Sequence, residues 1–303
     1  MKTKPECINC IISDLWGAIK AEIRDEDTQY AIINKSLSFL GDSFSKDKVP
    51  SFFITQVHRI FKEVSGIRVP FKEIRQMSNQ VGLMIARKVS SQAKKLKGFA
   101  LFSYLVDWAI AGNYVDFRTV GTGYDFPVEE LERRFLGCIK QGIQVDEKEK
   151  IYQRVKKAKK IVYIHDNVGE IALDKLLVSN LREYCPEVIS AVRGGPITSD
   201  ATREDAIQVG LKEAASRVIL AGPDTLGISF EEMSKELKED IEEADLIITK
   251  GQANFYVMSE ESKRLKADVV CLFRTKCQVV SSIFGYKEEI NLVTILEGSK
   301  PMS

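Results

Sequence analysis

Three turns in this 303-residue chain carry groups able to hold a hard cation and an anion. The first, IVYIHDNVGE (161–170), ends an apolar run on Asp166 and Asn167. The second, VISAVRGGPITSDATRED (188–205), carries Asp200 just past a glycine-rich bend, and the third, ADLIITKGQANF (244–255), closes an apolar run on Lys250 and Gly251. Two carboxylates and an amide oxygen form an oxygen-only donor set, which suits Mg or Mn and tolerates Co or Ni, rather than zinc or copper. A lysine beside them suits a phosphate, and a glycine lets backbone N–H groups approach an anion closely. Arg193-Gly194-Gly195 offers another close backbone approach, and the N-terminus of a helix over 254–265 presents a dipole of the right sign. The chemistry to which this points is metal-assisted phosphoryl transfer, in which a cation polarises a phosphoryl oxygen and activates the attacking water.

Each residue taken singly has a plainer explanation. Aspartate at a strand–helix junction is often an N-cap, worth ~1 kcal/mol. Asp166 or Asn167 before a helix at 169–183 fits that, as does Asp200 or Thr202 before a helix at 203–213. What separates the readings is the joint occurrence of DN, GGPxxxD and KGQxN, all at strand ends. A covalent aspartyl mechanism of the haloacid dehalogenase type needs a second Asp two residues after the nucleophile. Val168 stands at that position after Asp166.

The elements that must position these turns follow from apolar periodicity. Up to about residue 155 the pattern is helical. Helices are expected over 8–24, 27–40, from Pro50, from Pro70 through Ile85, at 99–111 (apolar nearly all round), at 127–138 and at 146–158. From about 160, short Val- and Ile-rich runs alternate with helical stretches. Strands are expected at 161–165, 187–192, 217–221, 245–249, 267–272 and 292–296, with helices at 169–183, 203–213, 229–242 and 254–265. Apolar strands alternating with helices imply a mainly parallel α/β sheet covered on both faces. The chain thus divides into a helical domain, 1–155, and a sheet domain, 156–303. Ligands of such a sheet bind beyond the carboxyl ends of its strands, where all three turns lie.

Composition bounds the function. With 44% hydrophobic and 29% charged residues the chain reads as a soluble globular protein, and its net charge of +1 provides no general field for nucleic acid or an anionic membrane. No run is long enough to span a bilayer, and MKTKPECINC lacks the apolar core of a signal peptide, so a cytoplasmic protein with mostly reduced cysteines is expected. The two histidines, His58 and His165, are too few for a histidine-rich zinc site. Strand alternation points His165 away from Asp166. Cys7 and Cys10 form a CxxC without a second pair, which leaves open a redox pair or two thiols with no part in turnover.

The motifs resemble the metal-dependent damage-control phosphatase family, long known only as a domain of unknown function. The resemblance rests on ECINC near the start, AIAGNYVDF (109–117), HDNVGE (165–170), RGGPITSDAT (193–202), KGQANF (250–255) and TKCQVV (275–280), which occur in order along nearly the whole chain. The N-terminal CxxC is similar to the prokaryotic, mostly archaeal branch. The resemblance implies a three-layer α/β/α sandwich with an appended helical domain, and a phosphatase dependent on Mn, Ni, Co or Mg. It implies metal ligands Asp166, Asn167 and Asp200, with Lys250 on the phosphate and Gly251 and Asn254 of the same motif beside it. Asp166, Asp200 and Lys250 would carry catalysis, Asp116 or Asp200 steering the water. Asn113 and Asp116, which by themselves read as a helix stop and a cap, are raised by it to pocket residues. Substrates would be small phosphorylated metabolites: damaged or surplus sugar phosphates or nucleotide-related compounds. Tyr256 follows KGQANF where many relatives carry an acidic residue, which bears on substrate choice. Two other classes stay open. A nucleotide-dependent transferase such as a methyltransferase lacks support from any GxGxxG after the first strand. A metabolite or redox sensor using the CxxC would bind ligand without turnover. Oligomeric state is not legible.

Overall fold

The structure, a computed structural model, describes residues 1–115 and 137–300. Its centre is a seven-stranded sheet in the order β1-β7-β6-β5-β2-β3-β4. The strands are β1 (Val145–Asp146), β2 (Lys160–Ile164), β3 (Glu187–Val192), β4 (Arg217–Leu220), β5 (Leu246–Lys250), β6 (Asp268–Arg274) and β7 (Asn291–Leu296). From β4 through β6 neighbouring strands run parallel; β7 is antiparallel to β6, and β1 pairs parallel to β7 at the edge. All six strands read from the sequence are present within one or two residues. The short edge strand β1 was not read, because two residues carry no periodicity.

Alternation along the strands divides the core in two. Ile161 and Tyr163 of β2 join the core on one face, and Val162 and Ile164 join the other. On the second face lie the helices Lys235–Glu243, Gly251–Glu261 and Gln278–Ile283. The first face is covered by Glu170–Leu181 and Arg203–Val209, and beyond them by five N-terminal helices: α1 (Cys7–Glu22), α2 (Glu26–Ser43), α3 (Pro50–Ser65), α4 (Lys72–Ala93) and α5 (Gly98–Ala111). This is the expected three-layer α/β/α arrangement with added helices. Its helical part shares one continuous apolar cluster with the sheet, from Ile11 and Phe53 to Ile161 and Val293.

Local signals set the helix limits. Pro50 opens α3 and Gly66, at φ 73°, ends it. The helix expected at 229–242 starts later, at Lys235, because the Ser234 hydroxyl accepts from the Leu237 N–H and fixes the N-terminus there. Arg203–Val209 opens on a capping box between Thr202 and Asp205. Most of the helix expected at 127–138, and Asp116, lie outside the described residues. No helix among the described residues is long and apolar enough to cross a membrane.

The helical layer presses on the turn after β2. Asn79 of α4 accepts from the Gly169 N–H at 2.8 Å, and Arg75 of α4 donates to the carbonyl oxygens of Thr198 and Asp200. Gly82 is the point of closest approach: a Cβ there would lie 2.1 Å from the Gly169 carbonyl oxygen. Glycine within a helix ordinarily costs about 1 kcal/mol relative to alanine, so a helical Gly→Ala change usually stabilises. At Gly82 the sign should reverse. Gly82→Ala is expected to lower stability by about 1–3 kcal/mol through overpacking, read as a lower urea midpoint; an unchanged or higher midpoint would contradict the contact.

Candidate active site

The order of the strands reverses at β2, whose neighbours β3 and β5 lead to opposite edges of the sheet. Such a switch point opens a crevice at the carboxyl ends of the strands. Asp166 and Asn167 follow β2 there, Lys250 and Gly251 end β5 next to it, and the loop 193–202 leaves β3 on the other side. Backbone bonds stitch the two loops together. Val168 N donates to Ser199 O at 2.8 Å, Ala201 N to Asp166 O at 2.7 Å, and Arg193 N to Ala201 O at 2.9 Å. Asn167 and Asp200 thus face each other as an antiparallel bridge, although 33 positions separate them in the chain.

Neither loop uses its acidic residue as a helix cap. Thr202 and Asp205 cap Arg203–Val209, and Glu170–Leu181 begins after Gly169 with no side-chain cap bond. The side chains of Asp166, Asn167 and Asp200 bond instead within and between the loops. Asn167 donates from Nδ2 to Asp166 Oδ2 at 2.7 Å and to Glu170 Oε2 at 3.0 Å, and its Oδ1 accepts from Ser199 Oγ at 2.7 Å. Asp200 Oδ2 accepts from Arg193 Nε at 2.8 Å and Gly227 N at 3.0 Å; its Oδ1 has only a long contact, 3.4 Å, from Thr198 Oγ1. The donor chemistry fits a hard divalent cation: Asp166, Asn167 and Asp200 offer oxygen, and Asp200 Oδ1 and Asn167 Oδ1 keep acceptor capacity. Among the described residues no cluster of three or more His, Cys, Asp or Glu side chains suits a metal, and the set Asp166, Asn167 and Asp200 holds two carboxylates and an amide. Gly251 makes room for the Asp166 carboxylate. At φ 77°, a Cβ on this residue would fall 1.8 Å from Asp166 Oδ2.

Beneath this pair of loops lies a second, fully buried group of charges. Lys250 Nζ donates to Ala109 O at 2.8 Å, to Asp174 Oδ1 at 2.8 Å and to Glu170 Oε1. Burial by itself would lower the Lys250 pKa; the carboxylates of Asp174 and Glu170 outweigh it and hold the ammonium up at about 12. Burial pushes Glu170 up against the pull of Lys250, whereas Asp174, also pushed up by burial, ends below the usual carboxylate range because Lys250 and His165 both face it. His165 bridges Asp174 Oδ2 (3.0 Å) and Ser190 Oγ (3.1 Å), and burial lowers its pKa, so the ring is neutral. As strand alternation requires, it points away from Asp166.

A cavity of about 90 Å³ opens at Asp166 and Asn167, lined among others by Cys10, Asp14, Gln252 and Lys276; Asp200 is fully buried beside Asn167 and does not line it. At ~30 Å³ per water molecule, it has room for about three waters, the scale of one phosphoryl group. A larger hollow of about 320 Å³ lies along the same helix, Gly251–Glu261, and shares Leu226 with it. It contains none of the candidate cation ligands and its Lys48 is paired with Glu231, so its size does not make it the reacting centre.

The structure therefore brings Asp166, Asn167, Asp200 and Gly251 together. Asn254 adjoins them but its amide is fully engaged, accepting from Ile228 N and Arg193 Nη2 and donating to the carbonyls of His165 and Lys250. Lys250 and Asn113 stand on the far side of Glu170: Asn113 donates to Glu170 and its Oδ1 accepts from Arg274 N at 3.4 Å. Sequence reasoning missed Glu170 and Asp174, which read as ordinary first-turn and buried-helix positions. It also missed Asp14, which pairs with His58 at 2.7 Å, and Lys276; TKCQVV carried the signal for Lys276. The CxxC does bear on the site, since Cys10 lines the cavity together with Cys277.

Known proteins resemble this chain over nearly its whole length. Residues 3–292 match the damage-control phosphatase ARMT1-like domain. A damage-control phosphatase of Archaeoglobus fulgidus is 31% identical over 288 residues, covering 94% of this chain and 96% of its own. One from Pyrococcus horikoshii is 31% identical over 283 residues, covering 93% of each chain. An uncharacterised protein of Methanocaldococcus jannaschii is 31% identical over 287 residues, covering 94% and 92%. The crystal structure of a DUF89 family protein from Pyrococcus horikoshii superposes with a TM-score of 0.84 at 28% identity, over 97% of this chain and 99% of that one.

Two outcomes follow from the packing. Gly251→Ala should displace the Asp166 carboxylate and weaken Mn²⁺ binding at least tenfold by calorimetry; wild-type affinity would show the approach to be unimportant. Burial raises both Cys7 and Cys10 above the ordinary thiol range. Cys7→Ser with Cys10→Ser should accordingly leave phosphate release within about twofold of wild type, because a protonated thiol is a poor nucleophile and metal ligand; a dead double variant would give the motif a catalytic role.

Proposed function

The chain belongs to the damage-control phosphatase ARMT1-like domain family, and from that premise we propose that it is a divalent-metal-dependent phosphatase of small phosphorylated metabolites. The observation that carries this reading is the cavity at the switch point, where Asp166 and Asn167 share a phosphoryl-sized space with Lys276. Its relatives named as damage-control phosphatases match over nearly their full length.

In this reading Asp166, Asn167 and Asp200 hold the cation, with Mn, Ni, Co and Mg as candidates. When bound, the cation polarises a phosphoryl oxygen and activates water for attack at phosphorus. The protein's own groups do the rest. Arg193 holds Asp200 in place through one carboxylate oxygen and leaves the other available. Backbone stitching between the two loops holds Asn167 opposite Asp200 in advance of binding. Lys276 places positive charge at the cavity, where anionic oxygens of the substrate would lie. Gln252, bound through Oε1 to the Lys276 N–H at 2.7 Å, fixes the Lys276 backbone there. The cavity takes the phosphoryl group, and the remainder of the metabolite lies outside it. Sugar phosphates and nucleotide-related phosphates are the proposed substrates.

The test is phosphate release from p-nitrophenyl phosphate and a panel of sugar phosphates and nucleotides. It is run on metal-stripped protein and after adding back Mg, Mn, Co or Ni. Release is expected only with metal. Asp166→Ala, folded by circular dichroism, is expected to lose Mn²⁺ binding and more than about 10²-fold in rate. Metal-independent release, or full activity in Asp166→Ala, would overturn the assignment.

A further inference from the structure

We propose that Lys250 and Glu170 are positioning residues of the cation site: the buried ammonium holds the Glu170 carboxylate, and Glu170 sets which end of the Asn167 amide is offered to the cation. The inference rests on the functional reading above and replaces the phosphate contact that the family resemblance implies for Lys250.

An ammonium group has three N–H donors and no more. In Lys250 each has an acceptor inside the protein: Ala109 O, Asp174 Oδ1 and Glu170 Oε1. The side chain is fully buried and does not line the cavity that Asp166 and Asn167 share. Nothing of it is left to bind a phosphate oxygen. Its partner Glu170 is equally buried and uses its two oxygens differently. Oε1 accepts from Lys250 and Asn113, while Oε2 accepts from Asn167 Nδ2 at 3.0 Å.

The second of those bonds decides the orientation of a candidate ligand. An asparagine amide presents oxygen at one end and two N–H groups at the other, and only its neighbours fix which end is which. Both N–H groups of Asn167 meet carboxylates, one on Asp166 and one on Glu170. Turning the amide over would set its oxygen against two carboxylate oxygens. Oδ1 is therefore held at the other end, beside Ser199, with a lone pair to offer. Glu170 accepts three N–H groups on its two oxygens, an arrangement that suits a carboxylate, and in a fully buried site a carboxylate needs a compensating charge. Lys250 is that charge. Partners of this kind, which orient ligands without touching the metal, typically change metal affinity by 10–100-fold when removed.

Glu170→Gln is the informative variant, because it keeps the shape. If its oxygen stays with Lys250 and Asn113, its NH₂ faces the NH₂ of Asn167, and the two repel until Asn167 turns over. Lys250→Met removes the compensating charge directly. Mn²⁺ binding to each metal-stripped variant is measured by calorimetry. Inhibition of p-nitrophenyl phosphate hydrolysis by inorganic phosphate is measured separately at saturating Mn²⁺. Expected is a 10–100-fold loss of Mn²⁺ affinity in both variants, with the inhibition constant for phosphate within twofold of wild type. A Lys250→Met protein with normal Mn²⁺ affinity and a phosphate inhibition constant raised tenfold or more would make Lys250 a phosphate anchor and overturn the proposal. Normal Mn²⁺ affinity in Glu170→Gln would overturn it as well, and that variant decides the matter alone if Lys250→Met does not fold. Wild-type protein that binds no Mn²⁺ would defeat the functional reading and this inference together, whereas the preceding outcomes defeat this inference only.

Discussion

The structure turns on one buried ion group. Lys250, at the end of β5, lies between Glu170 and Asp174 on the helix that follows β2, with the end of α5 supplying a carbonyl. Removing a single member of such a group leaves an uncompensated charge in a medium that solvates it poorly, a cost of about 3–5 kcal/mol. A buried ion pair is weak evidence of stability, since apolar residues of similar volume often do as well. Its worth here is geometric. It ties two neighbouring strands, the helix between the sheet and the outer layer, and the asparagine at the switch point into one arrangement.

The helical layer serves the same end. Arg75 and Asn79 of α4 reach over to both loops, the former at Thr198 and Asp200, the latter at Gly169. Gly82 and Gly112 allow the backbone of that layer to sit against residues 169–170, where any Cβ would collide with the Gly169 carbonyl or the Glu170 side chain. The N-terminal helices are thus less a lid on a finished sheet than one wall of the site. This explains why the apolar core passes from them into the first face of the sheet without a break.

Much of this was legible in the sequence, for stated reasons. Apolar runs such as Ile161–Ile164 and Leu246–Ile248 are unambiguous when buried on both faces, and each ends in a polar turn, so the strand ends and the crevice followed directly. Asp166, Asn167 and Asp200 stood out because three motifs shared one geometric position. The rest depended on distances that sequence does not encode. Glu170 and Asp174 lie in a helical pattern in which acids near the start are common. Lys250 looked like a phosphate ligand because a lysine beside a glycine at a strand end usually faces solvent or ligand; only the fold shows three acceptors around its ammonium. Cys10 and Asp14, in α1, line the same space as Asp166 through packing of α1 near the switch point, a contact across more than 150 positions of chain.

That last contact also bears on the thiols. Cys10 and Cys277 line the cavity, and the neighbouring thiols add to the cost that burial sets on ionising Cys7 and Cys10. A redox-sensing thiol works through its thiolate, which is favoured by cations, helix N-termini and exposure. Here the dominant influence on Cys7 and Cys10 is burial, with the neighbouring thiols adding to it, so the neutral form is favoured at ordinary pH. Their environment is that of small apolar side chains shaping a wall. The cavity that Cys10 borders already contains Asp166, Asn167 and Lys276. The chemistry is therefore better placed on Asp166 and Asn167, with the sulfur atoms limiting the volume in which it occurs.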